Sequence, residues 1–168
     1  MNLGNLFRSA HAFGASFVFT IRAEARAFNW PSDTSRGSAH LPSFAFDSVS
    51  ELQLPKGCRL VGVEFLDEAT DLPNFYHPVQ AAYVLGPERG SLSAELMERC
   101  DHLVKIPTRF CVNVGVAGAI LMYDRMLTHG RFAGRPLHEG ADATPRPEHI
   151  YGGRFQRRAK SKDFSDGE

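Results

Sequence analysis

Three short stretches of the chain set glycine or proline beside side chains able to hold a ligand. The first, Asn2, Gly4, Asn5 and Arg8, reads N-x-G-N-x-x-R. The second is Leu85-Gly86-Pro87-Glu88-Arg89-Gly90, and the third runs from Ile106-Pro107 to Cys111-Val112-Asn113-Val114. Arg8 offers a permanent charge and five donors, suited to anchoring a phosphate or stabilising an oxygen that gains charge; as a proton acceptor it is poor. Its bland alternative is a surface arginine paired with an acid. Asn2 and Asn113 are of the type that either caps a helix or orients a reacting group. Gly86 and Gly90 either let backbone approach a ligand closely or serve a routine turn. The second and third stretches each follow a strand-like run, and in an open α/β sheet ligands gather past the carboxyl ends of strands.

The elements that must position these groups follow from periodicity. Leu6, Ala10 and Phe13 at helical spacing, closed by Gly14, predict a short helix. Ser16–Ile21 and Arg59–Phe65 are β-branched and aromatic and read as strands, with a short one over Ser43–Phe46 and Asp47 capping the turn through Leu52. Ala81–Leu85 is a continuous apolar run, the mark of a parallel strand covered on both faces. Ser93 caps a predicted helix over Ala94–Cys100, His102–Ile106 is a further strand ended by Pro107, and Val114–Leu127 is a helix apolar on nearly every side. Such a helix is buried on most faces or in a partner subunit. Alternating strands and helices give an α/β fold: a mostly parallel sheet with helices on both faces.

Composition narrows the function classes. The 168 residues, 43% hydrophobic, suffice for one domain with a core of its own. Nineteen basic against nineteen acidic residues exclude a bulk polycation that coats nucleic acid by charge alone. The neutral total conceals a shift: residues 1–128 hold 11 basic and 13 acidic side chains, residues 129–168 hold 8 and 6. The latter form a Gly- and Pro-containing basic tail expected to be partly disordered. Cys58, Cys100 and Cys111 lack the spacing of a disulfide framework or zinc site and suit a reducing cytoplasm. The longest apolar run, Val114–Tyr123, is half a bilayer span, so no membrane association is expected.

In this order and on these element types, the three stretches resemble the motifs of the SpoU/TrmH family of SPOUT-class RNA 2′-O-ribose methyltransferases, over about Asn2–Met126. The resemblance implies a catalytic domain over residues 1–128 that transfers methyl from S-adenosylmethionine to a ribose 2′-hydroxyl of structured RNA, tRNA or rRNA. It implies a C-terminal trefoil knot that lodges the cofactor, and a homodimer with active sites composed across the interface. Arg8, Asn2, Glu88 and Asn113 then take catalytic roles, while Leu85, Gly86, Gly90, Ile106, Cys111, Val112 and Val114 bind the cofactor; no metal is needed. The alternative is a non-catalytic relative that binds RNA or S-adenosylmethionine.

The sequence departs from the family in two places. Motif three has a shortened loop, with Cys111 where serine is usual, a weaker hydrogen-bonding group. Motif one begins at residue 2, where relatives have a strand before it; either this chain lacks the strand or it lies upstream of Met1. Two further features divide between readings. Phe28 and Trp30 either stack on a base or pin their polar loop, and Arg154, Arg157 and Arg158 either contact RNA or sit solvated in the tail. His77 beside Asp67, Glu68 and Asp71 could be drawn as a metal cluster, against the expectation of none.

Overall fold

The structure, a computed structural model, describes residues 2–21, 41–87, 90–130, 132–133 and 135–143. Phe28, Trp30, Glu88, Arg89 and the basic run from Arg154 lie outside the described residues. Residues 1–130 form one compact unit and residues 131–168 a second. Of the second, the described part contains a turn in which Ala141 N–H donates to the His138 carbonyl and Gly140 takes a φ of +71°.

The chain opens on helix α1 (Asn2–Ala12). Gly14 adopts a φ of +72° and Ala15 N–H returns to the Ala10 carbonyl at 2.9 Å, the left-handed closure that glycine makes cheap. The buried face is Phe7 and Ala10, whereas Phe13, expected there, is exposed because the helix has already ended. Strand β1 (Val18–Ile21) pairs in parallel with β2 (Ser43–Phe46), starting at Val18 opposite Ser43. The turn after β2 is capped by Ser48, whose Oγ accepts from Glu51 N–H. Asp47, the expected cap, instead gives its own N–H to the Glu51 carboxylate.

The main sheet has the order β4-β6-β3-β5, with β3 spanning Arg59–Val63, β4 Thr70–Asp71, β5 Ala81–Leu85 and β6 His102–Lys105. Every pairing in it is parallel. Strand β3 ends two residues before Phe65, though Glu64 N–H still reaches the Val104 carbonyl at 3.0 Å. Alternate residues of β3 and β5 serve opposite faces. Leu60, Ala82 and Val84 meet Val49, Leu52, Leu92 and Leu96 on one face. Val61 joins Val104, Leu72 and Leu121 on the other. Truncating such a leucine to alanine typically costs about 2–5 kcal/mol.

Helix α2 (Ala94–Arg99) covers the first face. Its cap is Ser93, whose Oγ accepts from Leu96 N–H at 3.3 Å. Arg99 gives its guanidinium to the Val49 and Leu52 carbonyls and so fastens the turn after β2 to this helix. Helix α3 (Val114–His129) covers the second face and packs on α1. Helices therefore flank the sheet on both sides. Of the two expectations, burial on most faces or in a partner subunit, the first is not met: α3 buries only Gly115, Ala117, Gly118 and Leu121 within the chain. Its outer stripe stays open: Val116 is 51% exposed, Ile120 38% and Tyr123 47%.

The β1–β2 pair and the four-stranded sheet are separate ladders among the described residues, yet Phe17, Phe19 and Ile21 pack into the same core cluster as β5.

Candidate functional site

The carboxyl ends of β3, β5 and β6 and the first turn of α3 surround a cavity of about 360 Å³. Parallel strands bring these ends to one rim, and each is followed by a tight local turn. After β6, Thr108 N–H donates to the Ile106 carbonyl at 2.8 Å, and the Thr108 hydroxyl reaches the Phe110 carbonyl at 2.8 Å. Asn113 then caps α3, its Oδ1 accepting from Gly115 N–H at 2.9 Å. After β5, the loop turns at Gly90, with a φ of +111°.

Eight predicted residues meet on this wall: Leu85, Gly86, Gly90, Ile106, Cys111, Val112, Asn113 and Val114. Arg8 does not join them. It is exposed on α1 and is not among the lining residues. Asn2 is the first residue of the same helix. Sequence reasoning missed Glu64, Lys105 and Thr108, which also line the cavity. An acid at the carboxyl end of the predicted strand RLVGVEF was the available signal for Glu64.

Three glycines show how the cavity differs from the core. A Cβ on Gly62 would come within 2.7 Å of Leu103 and 3.0 Å of the Cys100 sulfur, so packing demands glycine there. One on Gly118 would meet Leu6 at 2.1 Å, which lets α1 and α3 approach. Gly86 differs: its φ is not positive, and an added Cβ would find its nearest protein atom, the Leu92 nitrogen, at an ordinary 3.4 Å. Among the described residues, neither backbone strain nor internal packing requires glycine at 86. Its place on the cavity wall leaves room for close approach to its backbone.

The polar groups on the wall are few and fixed. Glu64 accepts from Leu92 N–H at 2.7 Å and from Phe65 N–H at 3.0 Å. The first bond ties the loop after β5 to the end of β3. Lys105 donates to the Asp67 carbonyl at 2.9 Å and lies 4.0 Å from Asp71. Cys111 is exposed, whereas burial pushes the Cys100 thiol up to about 11 and raises Cys58.

His77 belongs elsewhere. Fully buried, it shares hydrogen bonds with the Tyr83 hydroxyl through Nδ1 (2.6 Å) and with Asp124 through Nε2 (3.0 Å). Arg125 completes the cluster, donating to Tyr83 and to the Pro78 and Val79 carbonyls. Burial holds the His77 imidazole below its ordinary range and raises Tyr83. Asp67, Glu68 and Asp71 take no part in this cluster.

A parallel α/β sheet with a small-molecule cavity past its strand ends defines the class of protein. Within that class, the sequence model of the SpoU rRNA Methylase family matches residues 1–123, and the chain belongs to this family. A mouse tRNA (guanosine(18)-2′-O)-methyltransferase is 28% identical over 133 residues, which is 73% of this chain and 8% of that protein. A Bacillus subtilis protein named for the TrmH family of tRNA/rRNA methyltransferases is 27% identical over 73% of this chain and 52% of its own length. The chain thus spans about half of the bacterial relative and a small part of the mouse one. Among solved structures, an RNA 2′-O ribose methyltransferase superposes with a TM-score of 0.60 at 28% identity, covering 76% of this chain and 51% of that one. The AdoMet-bound rRNA methyltransferase from Sinorhizobium meliloti gives 0.67 at 22% identity, covering 76% and 52%, a likeness of fold.

Proposed function

We propose that the chain is the catalytic part of an S-adenosylmethionine-dependent methyltransferase acting on a ribose 2′-hydroxyl of structured RNA, tRNA or rRNA, in the cytoplasm. The observation that carries this reading is the cavity wall, where motifs two and three meet, with Gly86 leaving its backbone open to the cavity. About 360 Å³ lies within the range of small-molecule sites, roughly 300–1,000 Å³. Val63, Leu85, Ile106 and Val112 offer apolar surface to an adenine, and Glu64 offers a carboxylate to a cationic group. These residues fit the cofactor. The names of the mouse relative and of the 28%-identical structure support the ribose hydroxyl as acceptor.

When bound, S-adenosylmethionine supplies a methyl group that an oxygen nucleophile displaces in line from sulfur. The chain must orient the ribose and stabilise its oxygen as the proton leaves. Asn113 keeps an amide NH₂ free of the cap bond for orienting a group in the cavity, and Glu88 is assigned a similar role. Arg8 stabilises the developing alkoxide and holds the adjoining phosphate, with Asn2 positioning it. Since Arg8 is off the cavity wall within one chain, its action there rests on a homodimer in which the partner's α1 faces the cavity. The open apolar stripe of Val116, Ile120 and Tyr123 supports such a pairing. A C-terminal trefoil knot and the 1–128 catalytic boundary belong to the same proposal. No helix among the described residues is long and apolar enough to cross a membrane.

The test is incubation of the purified protein with labelled S-adenosylmethionine and total RNA, then digestion to nucleosides. The expected result is label in 2′-O-methylated nucleosides; label in methylated bases, or no transfer by a protein that binds cofactor, would contradict it.

A further inference from the structure

We propose that Glu64 makes the cavity selective for a positively charged occupant, so that it holds the sulfonium form of the cofactor in preference to the neutral thioether left after transfer. This rests on the cofactor reading above. Glu64 is the one acidic side chain on the wall among the described residues, and it is half-buried. Among the described residues it forms no ion pair: Lys105, the basic residue on the same wall, is engaged by the Asp67 carbonyl and stands beside Asp71. A half-buried carboxylate without a counter-ion is costly unless its site receives one, and here the open side is the ligand cavity.

The carboxylate is also fixed. One oxygen accepts from Leu92 N–H at 2.7 Å and the other from Phe65 N–H at 3.0 Å. A carboxylate has about four acceptor positions, so two such bonds leave capacity on both oxygens. Because both anchors are backbone amides, the group cannot swing away to solvent without breaking the tie between β3 and the loop after β5. A negative charge held in place before the ligand arrives favours a cation without reorganisation. S-adenosylmethionine and S-adenosylhomocysteine share adenosine, amine and carboxylate; they differ by the methyl group and the sulfur charge. On this proposal Glu64 faces the sulfonium rather than the ammonium that the two compounds share, and so acts on the difference between donor and product and promotes product release.

The experiment is calorimetric titration of wild type, Glu64→Gln and Glu64→Asp with each compound, with thermal melts as the folding check. Wild type is expected to bind S-adenosylmethionine about tenfold more tightly than S-adenosylhomocysteine. Glu64→Gln should bring the ratio close to one by weakening the charged ligand alone, and Glu64→Asp should restore most of it. An unchanged ratio in Glu64→Gln, or an equal loss for both ligands, would overturn the proposal while leaving the cofactor reading intact. Wild type that binds neither compound would overturn both. If Glu64→Gln fails to fold, the wild-type ratio between roughly 0.05 and 1 M salt decides. It should fall severalfold, and a constant ratio counts against a charge effect.

Discussion

The two ends of helix α3 face opposite kinds of polar chemistry. At its carboxyl-terminal half, the fully buried His77 is hydrogen-bonded through both ring nitrogens, to Tyr83 and to Asp124, and Arg125 donates to Tyr83. At its amino terminus, Glu64 and the loop glycines line a cavity and keep hydrogen-bonding capacity unused. The first cluster contains the residue types of a catalytic site, a histidine between a tyrosine and an aspartate, yet its histidine is fully buried with both ring nitrogens engaged. The second holds plainer residues and an opening. Residue type alone therefore misdirects; what separates structure from function here is whether the polar groups are already satisfied.

The largest expected effect breaks catalysis without touching either end of α3. Arg8→Ala should lower methyl transfer by about 10²–10³-fold or more, with cofactor affinity within a few fold, in single-turnover assays and titrations. Equal loss of both would make Arg8 structural. The next effect contrasts glycines. Gly62→Ala should destabilise by about 1–3 kcal/mol through overpacking, read from denaturant unfolding. Gly86→Ala should leave unfolding nearly unchanged and weaken cofactor binding about tenfold or more, roughly the loss of one close contact region. If Gly86→Ala unfolds the protein instead, glycine there serves the fold.

These contrasts explain what was legible in the sequence. Apolar runs located β5 to the residue, because a strand covered on both faces has no polar position to blur its ends. Ser93 and Asn113 were readable as caps because capping depends on a few neighbouring residues. The partners of His77 were not readable: Asp124 lies 47 positions away, and only the packing of α3 on the sheet brings it near. Strand β4 escaped for a similar reason, two residues long and defined by pairing with β6. The motif glycines and Asn113 were found by resemblance, whereas Glu64 was passed over because a single acid after a strand carries no distinctive spacing. For the outer face of α3 the sequence offered burial within the chain or in a partner subunit, and only the first is excluded, because hydrophobicity does not say which surface supplies the cover.

Smaller effects sharpen the saturated end. Asp124→Ala leaves His77 with an unmet partner in a buried site and should cost about 1–3 kcal/mol while cofactor affinity stays the same. A shift in affinity would show that the two ends are coupled. The smallest effect is in pH. Burial lowers the folded pKa of His77 below its ordinary 6.5, so the unfolded chain takes up the proton first. Its contribution to stability is whole above about 6.5 and declines as pH falls from there toward the lowered folded value. Melting temperature should therefore drop between about pH 7 and 5 in wild type, and less steeply in His77→Gln.

The most direct test of the central claim, that the open end of α3 is the cofactor site and the closed end is scaffold, is an amide NMR titration with S-adenosylmethionine. The account predicts shifts concentrated at Gly86, Leu92, Ile106, Thr108 and Gly115, with Tyr83 and Arg125 unmoved. Shifts centred on Tyr83 and Arg125, or none at saturating cofactor, would contradict it.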